Sequence, residues 1–187
     1  MKKVLIVVGI ILVIIVGLVF FKSKPAIVNY SYSKEVAKIL KPVYSDYDME
    51  VEVSDDGILF KDSKYNHVAY NFYEGKIDFV DIRINLENNE LDSEETIQYI
   101  EDLYRVVTDN FRIIKDYFVD DFLIREEYFI NERDRQHLKD SLEFKEECYD
   151  WEARYQYSEG DKYTFINYSM DALYNQEGYD HFSIFIS

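Results

Sequence analysis

The sequence predicts an α+β fold in which an N-terminal transmembrane helix precedes an antiparallel β-sheet with helices packed on one face. Three observations carry this. Residues 4–21 form an uncharged apolar run between lysines, and residues 49–53, 80–86 and 149–157 alternate apolar with polar side chains. Between residues 97 and 114 the apolar positions recur instead at spacings of three and four, the period of a helix.

The apolar run of MKKVLIVVGIILVIIVGLVFFKSK is about 18 residues long, at the short end of the roughly 17 to 25 that span a hydrocarbon core of about 30 Å. A single segment satisfies its backbone in lipid only as a helix. Its exit reads Leu18-Val19-Phe20-Phe21-Lys22-Ser23-Lys24-Pro25, with bulky groups where signal peptidase needs small ones and no cysteine to take a lipid. An uncleaved anchor is therefore favoured over a signal peptide. Lys2, Lys3 and the α-amino group would stay in the cytoplasm, leaving residues from about Ser23 onward outside. Lys22, Lys24, Lys34, Lys38 and Lys41 follow the span, so this orientation rests on the signal-like N-terminal position more than on charge. The expected organisation is an anchor over residues 1–24, a tether over 25–32 and one extracytoplasmic acidic domain over 33–187, with its partner and membrane contacts made at the cell membrane.

Ser33 is placed to cap a helix carrying Val36, Ala37, Ile39 and Leu40, which Pro42 is expected to end. Met49, Val51 and Val53 then alternate with Glu50, Glu52 and Ser54 up to Asp55-Asp56-Gly57, and Ile58-Leu59-Phe60 returns as the second strand of a hairpin. Residues 68–73 and 77–86 make another pair around Glu74-Gly75-Lys76, giving about four antiparallel strands. Asp92 or Ser93 caps the longest helix, with Ile97, Ile100, Leu103, Tyr104, Val107, Phe111 and Ile114 facing the sheet. Asn131 opens a shorter helix through Leu138 and Leu142. Strand period returns at Tyr149, Trp151, Ala153, Tyr155 and Tyr157, the turn Ser158-Glu159-Gly160-Asp161 leads into residues 162–168, and residues 181–186 form the last strand.

Charge narrows the partners. Four of the 21 Lys and Arg lie in residues 1–24 and none of the 37 Asp and Glu do, so the remainder carries 17 minus 37, or −20. Such a field repels nucleic acid and anionic lipid head groups, while it attracts basic protein surfaces and divalent cations. The 18 Tyr and 13 Phe supply enough apolar surface to fold the acidic chain. Cys148 is the single cysteine, so no internal disulfide forms; an exported domain built this way suits a single-membrane bacterium.

Catalytic patterns are thin, and neither an enzyme nor a cofactor is expected. His67, His137 and His181 lack metal-ligand spacing and read as surface or turn residues. Cys148, with Lys145 as its nearest basic neighbour, reads as a buried structural thiol at a strand start. Asp46, Asp48, Glu50 and Glu52 recur at every second position and would share one face of an extended strand, where carboxylates can hold calcium. The turn glycine and terminal acid of a calcium loop are missing, and a solvated strand face is the preferred reading. Asp120-Asp121 and Glu146-Glu147 diverge on regular structure and read as surface charge.

What remains is a face. With Val80, Ile82, Ile84, Tyr149, Trp151, Ala153 and Tyr155 packed under the long helix, the opposite side presents Glu50, Glu52, Asn71, Tyr73, Asp81, Arg83, Asp150, Glu152 and Arg154. This broad, mostly acidic patch is either a partner-binding surface or an ordinary solvated sheet face.

The layout, with MKKVLIVVGIILVIIVGLVFF, the strand VDIRINL and the helix SEETIQYIEDLYRVV, resembles the TipC-type immunity proteins of Gram-positive bacteria. It is a likeness of layout along the whole chain rather than of a motif. The resemblance implies a membrane-held protein that binds and occludes a cognate toxin of a type VII secretion system, one that attacks lipid-linked cell-wall precursor. Two other readings stay open: an envelope sensor or assembly protein that binds another envelope protein, and a metal-dependent envelope enzyme built on Asp46, Asp48 and Glu50.

Overall fold

The computed structural model describes residues 29–86, 92–125, 130–143, 151–171 and 181–187. The apolar run 4–21, Cys148, Tyr149, Asp150 and Glu146-Glu147 lie outside these residues. Among the described residues no helix is long and apolar enough to cross a membrane.

Seven strands build one antiparallel sheet in the order β1-β2-β3-β4-β7-β6-β5. They are β1 (Glu50–Val53), β2 (Gly57–Lys61), β3 (His67–Tyr73), β4 (Lys76–Asn85), β5 (Trp151–Glu159), β6 (Lys162–Asp171) and β7 (His181–Ile186). The last strand in sequence is thus the central link, hydrogen-bonded to β4 on one side and to β6 on the other. Alternation in each strand becomes continuous rows across the sheet. Val51, Phe60, Val68, Ile82, Ile184, Tyr168 and Ala153 stand in register, as do Val53, Ile58, Tyr70, Val80, Ile186, Ile166 and Tyr155. These two rows form the apolar floor of the core.

Helix α1, residues 29–45, lies on this floor and buries Val36, Ala37, Leu40 and Tyr44. Tyr44 stacks on Phe60 with centroids 4.1 Å apart, and its hydroxyl meets that of Tyr70 at 2.7 Å. Three sequence expectations are corrected here. Residues 29–32 of the expected tether are helical, with the Asn29 amide donating to the Phe72 carbonyl at 3.1 Å and its Oδ1 accepting from the Gly75 N–H at 2.6 Å. Ser33 is a buried mid-helix residue, not a cap. Pro42 does not stop the helix, although an interior proline costs roughly 3 kcal/mol by losing one hydrogen bond and crowding the preceding turn. The aromatic burial of Tyr44, two residues further on, offsets that cost.

The helix ends in a Schellman motif. Met49 N–H donates to the Tyr44 carbonyl at 3.1 Å and Asp48 N–H to the Ser45 carbonyl at 3.2 Å, while Asp48 itself takes a left-handed conformation at φ 54°. Asp46 and Asp48 therefore belong to a helix terminus, and only Glu50 and Glu52 of the expected acidic strand face are on a strand. At the start of β2, Gly57 lies so close to β3 that a Cβ there would run into the Tyr70 carbonyl oxygen.

Helix α2 (Ser93–Asn110) begins at a capping box in which Glu95 N–H donates to Asp92 and Asp92 N–H donates to Glu95. Its buried stripe of Ile97, Ile100, Leu103, Tyr104 and Val107 meets the sheet on the same side as α1, with Tyr104 edge-on to Tyr168. Past α2 the chain packs Phe111, Phe118 and Phe122 together, with the last two rings stacked at 4.2 Å. Helix α3 (Glu132–Glu143) starts at Asn131, whose Oδ1 accepts from the Asp134 N–H at 3.0 Å. Arg135 ties it to α2 through Glu94 and Glu101.

Candidate functional site

Side chains alternate across a strand, so every residue between two core positions faces away from the helices. The resulting open face carries two registered rows. One runs Glu50, Lys61, His67, Arg83, Ser183, Ser169, Glu152, and the other Glu52, Leu59, Ala69, Asp81, Phe185, Asn167, Arg154. Asn71 and Tyr73 share this face from β3. The sheet thereby brings together eight of the nine residues expected at a partner-binding surface; the ninth, Asp150, lies outside the described residues.

The charge of the face differs from the expected mostly acidic patch. Asp81, largely buried, lies 3.6 Å from His67 Nε2 and 3.5 Å from Arg83 Nη2. His67 is thus a strand residue beside a carboxylate rather than a turn residue. Across the sheet, Glu152 Oε1 accepts from Arg154 Nε at 2.9 Å, Arg154 Nη2 at 2.8 Å and Asn167 Nδ2 at 2.8 Å. Hydrogen bonding from Arg154 first, then from Asn167, holds the Glu152 carboxyl below its usual range. Two of the face's acids therefore spend their charge internally, and the −20 carried outside residues 1–24 resides largely elsewhere.

The face also carries an aromatic strip outside the nine expected residues. Phe79 and Phe185 pack with ring centroids 4.7 Å apart, and Phe165 meets Tyr163 at 5.3 Å. Backbone pairing of Phe165 with Ser187, next along from Ile186, sets these rings side by side across β4, β7 and β6. Phe165 is 42%, Tyr163 39% and Phe185 36% exposed, and Tyr73 at 64% extends the apolar area toward β3. The Tyr163 hydroxyl is held up mainly by its hydrogen bond to Asp121. On the same face, Ser183 Oγ and Asn167 Oδ1 are buried and lack a hydrogen-bond partner among the described residues. A buried polar atom in that state costs about 1–3 kcal/mol, a penalty that a donor or water brought by a partner removes.

Among the described residues no group of three or more His, Cys, Asp or Glu could hold a metal ion. Asp46, Asp48 and Asp62 line a cavity of about 370 Å³ at the far end of α1, but Asp62 spends its carboxylate on the Lys64 and Asn66 backbone N–H groups and the Asn66 amide. The Asp46, Asp48 and Glu50 constellation does not assemble on one strand face. Comparison with known proteins gave no match to a family model, to a curated protein or to a solved structure.

Proposed function

We propose that this chain is a membrane-anchored immunity protein whose open sheet face binds and occludes a cognate secreted toxin acting on lipid-linked cell-wall precursor. The observation that carries the binding role is the strip of exposed Phe165, Phe185 and Tyr163 with half-buried Phe79, on the side of the sheet opposite α1 and α2. Exposed aromatic rings beside Arg–carboxylate pairs are the composition of an interface core with a polar rim. The apolar run of residues 4–21 supports anchorage, and the resemblance in layout supports the choice of a toxin as the partner. In this mechanism the domain covers the toxin's cleft and denies it substrate, with no bond made or broken by the immunity protein itself. The −20 charge outside the anchor acts at longer range, raising the encounter rate with a basic toxin in a salt-dependent way.

Co-expression tests the reading. The chain is produced in a sensitive cell together with the product of the neighbouring candidate toxin gene, once complete and once without residues 1–24. Rescue by the anchored form alone supports immunity at the outer membrane surface. Failure of both forms overturns it and transfers the open face to a sensor or assembly role toward another envelope protein.

A further inference from the structure

Residue 29 enters the fold at one end of the sheet, where Asn29 holds the β3–β4 turn through Phe72 and Gly75. One helical turn on, Tyr32 lies edge-on to Tyr117 at 6.1 Å. The same end opens into a cavity of about 780 Å³ lined by Lys76, Arg112, Lys115 and Lys162 together with Asp116 and Asp120, over the stacked Phe118 and Phe122 rings. Four cations against two carboxylates reverse the sign of a chain that carries 37 acidic and 21 basic residues. Lys76 Nζ donates to the Asp116 carbonyl at 2.8 Å and lies 4.0 Å from a fully exposed Asp120. Among the described residues Lys115 and Lys162 form no ion pair.

We propose that Lys76, Arg112, Lys115 and Lys162 form a phosphate-binding patch that seats the domain on the anionic lipid headgroups of the membrane holding its N-terminal segment. This rests on the anchorage proposed above. Residues 22–28 separate the apolar run from Asn29 and reach at most ~25 Å even when fully extended, so the bilayer surface lies within reach of this end of the fold. The other end of α1 is about 25 Å further away at ~1.5 Å per residue, and it carries Asp46, Asp48 and Asp62, which anionic headgroups repel. The attraction is local to this patch, because the turns at the same end also carry Asp55, Asp56, Glu74, Glu159 and Asp161, and contact at the patch is what orients the domain. Because the strands run between these two ends, the open sheet face stands to the side of the bilayer and stays accessible to a protein partner.

The test uses the full chain reconstituted in vesicles of phosphatidylcholine alone or of phosphatidylcholine with phosphatidylglycerol, with lysine acylation read by mass spectrometry. Lys115 and Lys162 are expected to react about fivefold more slowly when phosphatidylglycerol is present, while Lys64 at the far end reacts equally in both. Lys115→Glu with Lys162→Glu, both on the surface, is expected to abolish the phosphatidylglycerol dependence at Lys76. Equal reactivity in the two vesicles overturns the patch, and so does equal protection by inorganic phosphate in detergent, which assigns the site to a soluble anion. Flotation at high salt reports the anchor separately. A chain that floats but shows no lipid-dependent protection overturns the patch alone, whereas a chain that fails to float with either vesicle overturns both readings.

Discussion

The hydroxyls of Tyr44 and Tyr70 meet at 2.7 Å inside the core and join α1 to β3. Both side chains are fully buried, so each hydroxyl is the other's replacement for water. Tyr44 is also the residue that carries α1 past Pro42, which makes this contact a link between the extent of a helix and the sheet it lies on.

Removing one hydroxyl should therefore cost more than removing both. Tyr70→Phe leaves the Tyr44 oxygen buried without its partner and is expected to destabilise by about 1–3 kcal/mol. Tyr44→Phe combined with Tyr70→Phe removes both polar atoms and should recover a large part of that loss. Urea unfolding of the four proteins gives the coupling energy directly. Simple additivity would mean that the two hydroxyls do not depend on each other.

Stability should also fall in alkali. Burial first of all pushes the Tyr44, Tyr70 and Tyr168 hydroxyls well above their usual range, and Tyr99 is raised to about 12, again chiefly by desolvation. Unfolded tyrosines lose their protons near pH 10 while these stay protonated, so above that pH the unfolded state binds fewer protons and stability declines. The stabilisation is fully present below about pH 9. Between about pH 10 and each folded value the slope approaches ~1.4 kcal/mol per pH unit for each of the three most buried tyrosines. Unfolding midpoints measured from pH 8 to 11 are expected to be level at first and then to drop steeply; a level profile throughout would show that these hydroxyls ionise without unfolding.

At the end of α1, Asp48 occupies the left-handed position of a Schellman motif, where glycine carries no Cβ penalty. Its carboxylate also sits at the negative end of the helix dipole. Asp48→Gly relieves both and loses some unfolded-state restriction in return, for an expected net gain of about 0.5 kcal/mol. Thermal unfolding should show a small rise in midpoint, and Asp48→Ala, which keeps a Cβ at the left-handed position, should show none.

How far the fold is legible in the sequence follows from which forces are local. Period two marks β1 to β4 and β5 to β7 because one sheet face is buried, and Asp92 with Glu95 marks the start of α2 because a capping box needs only its own residues. Pro42 misleads because the term that overrules it, Tyr44 against Phe60 and Tyr70, is tertiary. Asp46 and Asp48 mislead because their spacing of two is shared by strands and by a helix end. On the open face, Phe79, Phe165 and Phe185 have the right parity to be recognised, but their adjacency depends on β7 pairing between β4 and β6, a long-range choice no local pattern encodes. The pairing of Glu152 with Arg154 and of Asp81 with Arg83 was available from their spacing of two along a strand, and it is what turns an acidic patch into a mixed one.

That mixed character decides how the proposed binding face is best challenged. Reversing charges, as in Asp81→Lys with Glu152→Lys, places new cations beside His67, Arg83 and Arg154 and disturbs the sheet's own network along with any interface. The aromatic strip avoids this, because Phe165 and Phe185 are more than a third exposed and contribute little to the core. Phe165→Thr with Phe185→Thr keeps β-branched side chains suited to a strand while deleting the rings. If the strip is the centre of the interface, the loss of two anchors at about 2 kcal/mol or more each lowers affinity for the partner by about 30-fold or more per ring. The unfolding midpoint should stay within a few degrees of the parent. Protection in the co-expression assay should be lost together with binding, and higher salt should slow association of the parent through its −20 domain without abolishing the complex. Retained protection by the double variant would move the interface off this face.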